Sequence, residues 1–166
     1  MILLPKQGQR TNERNDLFME TTALHQKYNV FKVVDYIILF HHENGKKINN
    51  LRLNGILYFL QAYFLQQTGN VCFIEELEAR DYGPVVPAVY SKFSKFGVDD
   101  IPNPKNTDDP GFTPADRKLI HELLEFTSKM SNATISNTIH DQRPYRHARD
   151  SHGKVIRPEK LKSYFG

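Results

Sequence analysis

Between Asn49 and Gly69 the chain reads NNLRLNGILYFLQAYFLQQTG, and Leu53, Ile56, Leu57, Leu60 and Phe64 recur in it at helical spacing. An asparagine able to cap the start and a glycine able to stop the end bound that run, which predicts one long helix. A helix with this much apolar surface has to be covered by other elements, so it is expected at the centre of the fold. Gly55 in its interior costs about 1 kcal/mol relative to alanine, which predicts a neighbour pressed against it.

The covering elements are legible on both sides. Val30, Val33, Val34, Ile37 and Ile38 form the stripe of an amphipathic helix ending near Gly45. After Gly69, VCFIEELEARDYG mixes β-branched, aromatic and charged residues without helical period, which predicts a small hairpin. The next stretch, ARDYGPVVPAVY at 79–90, holds Gly83, Pro84, Val85 and Pro87; glycine frees the backbone while proline fixes φ, as suits a stiff turn feeding a helix. That helix carries Val86, Val89, Tyr90, Phe93 and Phe96 on one face and closes at Gly97. Three prolines and four aspartates in residues 98–112 mark a surface loop. Thr113, Pro114 and Asp116 then supply a cap, an N1 proline and an N3 acid for a helix that buries Leu119, Ile120, Leu123, Leu124 and Phe126. Shorter helices are expected at about 133–140, for one turn at 145–149 after Pro144 interrupts, and from Pro158 through Phe165. The fold class expected is therefore mainly α: a compact single-domain helical fold with a small β-hairpin, spanning residues 30–166 behind an arm at 1–29.

With 166 residues, eight Tyr and eleven Phe, the chain has enough apolar matter for one such core. Cys72 is the lone cysteine, which excludes an internal disulfide, and the amino-terminal residues lack the apolar run of a signal peptide. No stretch approaches the roughly 20 apolar residues of a membrane span. A cytoplasmic protein without membrane contact is expected. Net charge is +3, yet seven Lys or Arg face three acids from His140 onward, so that end either favours an anionic partner or is a solvated basic face.

Catalytic groupings are sparse. Cys72 lies between Val71 and Phe73, the setting of a core thiol rather than a nucleophile. His41 and His42 are adjacent and point apart on a helix, and His140, His147 and His152 lack metal-ligand spacing, so no metal is expected. Glu75, Glu76 and Glu78 with Asp81 form an acidic cluster that fits either a cation site or acid and base work, or the solvated face of the hairpin. Phosphate-binding loops, dinucleotide fingerprints and HExxH helices are missing, and nothing calls for a cofactor. IHDQRPYRHAR at 139–149 gathers two histidines, an acid and three arginines. It fits either an RNA-cleaving site using His140 and Arg143 or a structural corner in which His140 bonds a backbone group and Pro144 locks a turn.

Three blocks in order resemble the Panacea domain, the SocA-like antitoxin family, over about 30–165. EELEARDYGPVVPAVY matches its acidic segment followed by Gly-Pro-Val-Val-Pro and a tyrosine, here Tyr90. The long helix matches the family's at Leu51, Leu53, Leu57, Tyr58 and Phe59. His140, Pro144 and Tyr145, followed by KSYF, match its Thr-His, Pro-aromatic and Tyr-Phe ending. Asn54 and Gly55 stand where the family usually has Gln-Lys, Ile139 replaces a threonine, and Tyr145 replaces the commoner tryptophan.

The resemblance implies a non-enzymatic antitoxin of a type II pair. Its partner would be a cognate protein toxin, encoded beside it, with a higher-order toxin–antitoxin complex as one form of assembly. A small alarmone synthetase-like enzyme, making alarmones or modifying tRNA, is one kind of toxin that such a resemblance implies, and delivery of the toxin to a protease is an alternative to blocking its active site. Direct nucleic-acid binding is not expected, because many relatives carry a separate DNA-binding domain and the arm is too short for a helix-turn-helix. The expected contacts are the arm with Lys27, Tyr28 and Phe31, aromatic anchors beside a lysine able to take an anion site meant for substrate phosphate. Equally, Phe31 packs in the core and Lys27 is solvated.

Overall fold

The computed structural model describes residues 27–166. Residues 1–26, and with them nearly all of the arm expected at 1–29, lie outside the described residues. The central element is α2 (Asn50–Thr68), preceded by α1 (Val30–Glu43). Asn49 caps α2 by accepting from the Arg52 N–H, and Gly69 ends it in the left-handed conformation at φ +79°. Every residue from Arg52 to Leu65 is buried, so the helix is covered on all sides rather than along one stripe.

Around it lie β1 (Leu77–Arg80), β2 (Gly83–Val85) and α3 (Pro87–Phe93), the last continued by one 3₁₀ turn at Ser94–Phe96. After the loop come α4 (Pro114–Ser128), α5 (Asn132–His140), α6 (Arg143–Asp150), β3 (Val155–Ile156) and α7 (Pro158–Phe165). This is the mainly helical fold with a small β element expected from the sequence. The sheet is antiparallel in the order β2-β1-β3, with Arg80 opposite Gly83, Ala79 opposite Pro84 and Leu77 opposite Ile156. Pro84 is tolerated there because β2 is an edge strand. The predicted neighbour of Gly55 is α5: a Cβ on Gly55 would stand 2.9 Å from Ile135 Cγ2.

Four local expectations change. The hairpin gains a third strand, β3, supplied from the far end of the chain. Leu119 and Phe126 on α4 are only partly buried, while Thr127 is fully buried and donates its hydroxyl to the Leu123 carbonyl at 3.0 Å. Residues 143–150 form a full helix with Pro144 in its first turn, where the missing N–H costs nothing. The loop at 98–112 is stitched to the body: the Ile48 N–H donates to Asp100 Oδ1 at 2.7 Å, and its carbonyl accepts from the Ile101 N–H at 2.8 Å. Ile101 and Phe112 are buried with it.

Candidate functional site

The family-like blocks meet along one side of α2. Asn50 and Asn54, one turn apart, hold the stretch after the hairpin: Asn54 Oδ1 accepts from the Val86 N–H at 2.9 Å and Asn50 Nδ2 donates to the Tyr90 carbonyl at 2.9 Å. Asn54 Nδ2 returns to Asn50 Oδ1 and to the Asn50 carbonyl, so the pair is a closed network in a buried place. Gly83 takes φ +142°, a backbone state in which side chains are strained, and Pro84, Val85 and Val86 are buried behind it. Pro87 opens α3, and Tyr90 stacks on Tyr82 with ring centroids 5.3 Å apart.

The hairpin turn is held from its other side by the α5–α6 corner. Tyr145 is buried and donates its hydroxyl to the Arg80 carbonyl. Its hydroxyl also lies 3.2 Å from His140 Nε2, the rings meet edge to face at 4.7 Å, and burial raises the Tyr145 pKa. His140 sets Nδ1 3.0 Å from the Ser136 carbonyl and Nε2 3.4 Å from the Asp81 carbonyl. Both ring nitrogens thus face backbone carbonyls within the fold. Arg143 lines a cleft between α6 and α7, and His140 lines another beside Pro84. Leu53, Leu57, Tyr58 and Phe59 are core residues, and Tyr58 donates to Gln142 Oε1 at 2.6 Å. Burial pushes the Tyr58 hydroxyl far above its usual range.

Between this corner and the start of α2 runs a groove of about 270 Å³. Gly55, Pro84, Ile135 and Ile139 supply apolar lining, and Leu51 and Tyr82, both more than two-fifths exposed, stand beside it. Arg52 closes one end, donating to the Thr127 and Met130 carbonyls at 2.9 Å and to Asn132 Oδ1 at 2.8 Å.

The three residues expected to touch a partner separate. Lys27 is exposed. Phe31 is half-buried with Lys92 Nζ 5.0 Å from its ring centroid. Tyr28 is 8 % exposed and engaged internally: its N–H donates to the Cys72 carbonyl at 3.0 Å, and its hydroxyl donates to Asp116 Oδ2 at 2.6 Å and accepts from the Thr113 N–H at 3.2 Å. Cys72 is fully buried, and burial pushes its thiol pKa well up. On the hairpin, Glu78 pairs with Arg80 at 2.8 Å and Asp81 lies 4.0 Å from Lys154, an exposed charged rim.

Asn50, Arg52, Asn54 and Gln61 are what residue patterning passed over. Gln61 Oε1 accepts from the Cys72 N–H at 2.8 Å while its Nε2 donates to the Phe73 carbonyl at 2.9 Å. The available signal was polar residues interrupting the most apolar helix of the chain, since a polar group there has to find partners.

What fold and site define is a helical domain with a small sheet, in which the shared sequence blocks brace a hairpin against a central helix. The family model described as antitoxin SocA-like, Panacea domain, matches residues 53–145, more than half of the chain, and the protein belongs to that family. The match opens within α2 and closes at Tyr145, so α1, β3 and α7, which complete the core, lie beyond it. No curated protein and no solved structure matches the chain. Among the described residues, no helix is long and apolar enough to cross a membrane.

Proposed function

We propose that this protein is an antitoxin that neutralises a cognate protein toxin by binding it directly and covering its active site, the toxin being an enzyme of small alarmone synthetase type that acts on nucleotides or tRNA. Membership of the SocA-like family carries the antitoxin role. The docking surface is the arm together with the start of α1. Tyr28 is the anchor there, since its three hydrogen bonds fasten the chain to α4 and to the segment after α2. Lys27 is the exposed cation beside that anchor, suited to an anion subsite of the toxin, and the open side of Phe31 is its apolar neighbour.

Coexpression with the product of the adjacent reading frame tests the reading. The expected outcome is relief of toxicity and a stable complex on co-purification. Lys27→Glu is expected to weaken neutralisation by on the order of tenfold or more, with an unchanged melting temperature. Full neutralisation by a chain lacking residues 1–26 and carrying Lys27→Glu would remove this surface from consideration. A harmless neighbour or the lack of any complex would end the antitoxin reading itself.

A further inference from the structure

The basic end of the chain folds into a definite feature. Arg143 and His147 on α6 face Lys160, Ser163 and Tyr164 on α7 across a cleft of about 320 Å³, with Pro144 completing its wall. Among the described residues, no acidic side chain lines it. Arg143, His147 and Lys160 make no ion pair among the described residues, although Arg80, Arg117, Lys118, Arg149 and Lys154 each have one. Three cationic or protonatable groups are thus gathered with no ion-pair partner among the described residues. Ring and pyrrolidine surface from Tyr164 and Pro144 adds an apolar wall.

We infer that this cleft is a second docking site for the toxin, one that takes a short acidic segment of it, with a carboxylate between Arg143 and Lys160 and the adjoining side chain against Tyr164 and Pro144. The inference rests on the antitoxin reading but not on the arm, which is a different surface. Charge complementarity selects an acidic occupant, and the arginine supplies the paired donors that a carboxylate accepts. Arginine and tyrosine are also the residue types that most often dominate interface energetics. A nucleic acid is the poorer fit: its phosphate backbone calls for a basic track along a whole face, whereas this cleft is small, partly apolar and part of a chain of net charge only +3.

The test uses the full chain and the toxin encoded beside it, with affinity measured at low and at physiological salt. Arg143→Ala with Lys160→Ala, and separately Lys160→Glu, are expected to weaken toxin binding by on the order of tenfold and to flatten its salt dependence. Both residues are exposed, so the melting temperature should stay at the wild-type value. If wild type binds and both cleft variants bind equally well with the same salt dependence, the cleft proposal is overturned and the antitoxin reading stands. If wild type forms no complex, both fall. Loss of binding to a single-stranded RNA in the cleft variants, with toxin binding intact, would overturn the proposal in favour of a nucleic-acid site.

Discussion

Gly83 holds φ +142° at the first residue of β2, directly opposite Arg80, and an added Cβ there would meet no atom within 4 Å. The constraint is therefore purely one of backbone conformation, and a β-branched side chain is the least able to meet it. Gly83→Val is expected to lower stability by about 1–3 kcal/mol, read as a shift of the urea midpoint, and an unshifted midpoint would contradict the strained φ. Gly83 and Gly55 were both legible in the sequence, because a glycine flanked by proline or set inside a core helix has few explanations. Asn54 was not. Its value lies in reaching the Val86 N–H across 32 residues of chain, and no local pattern reports a partner so distant. Tyr28 shows the same limit: its hydroxyl reaches Asp116 across 88 residues of chain, which no local pattern reports.

At the scale of elements, α2 acts as a post to which its neighbours are tied by polar side chains, and Arg52 is the clearest tie. It meets the last turn of α4, where carbonyls lack intrahelical donors and the helix dipole places negative charge, and it is only 7 % exposed. Arg52→Met keeps much of the apolar stem but removes the donors from the Thr127 and Met130 carbonyls and from Asn132. A loss of about 2–4 kcal/mol is expected, with hydrogen exchange accelerated first in the α4–α5 connection. Equal protection in wild type and variant would show that water replaces the guanidinium there. Long helices were readable from their period, and their caps from Asn49, Gly69 and Thr113. A two-residue strand such as β3 carries no period at all. Its place beside Leu77 and Glu78 is set by the packing of α6 and α7, and α4 buries Thr127 where a hydrophobicity pattern looks for Phe126.

Over the whole molecule, the cost of enclosing polar groups sets how stability responds to pH, and His41 is the group to watch. It is fully buried on α1, with Nδ1 2.8 Å from the Ile37 carbonyl and Nε2 without a partner among the described residues. The neutral ring with its proton on Nδ1 fits that setting, whereas the cation would bury an unbonded N–H. Burial lowers its pKa from the ordinary 6.5, and the nearby charges of Arg52 and His42 lower it further, against the Ile37 carbonyl and Asp100, which raise it. In the unfolded chain the ring takes up a proton near 6.5, so above that pH both states are neutral and the fold keeps its full stability. As pH falls below 6.5 the unfolded state binds the extra proton, and stability declines until the folded pKa is reached. The limiting slope for one proton is about 1.4 kcal/mol per pH unit. Asp35 acts in the opposite sense at lower pH, since burial raises its pKa above 3.8 and its contribution is lost as pH rises through the folded value. Comparing wild type with His41→Phe isolates the histidine: the difference in unfolding free energy should be constant above neutrality and shift towards the variant as pH drops from about 6.5. A difference that stays flat down to pH near 5 would mean that the buried ring titrates alike in both states and would contradict the lowered pKa.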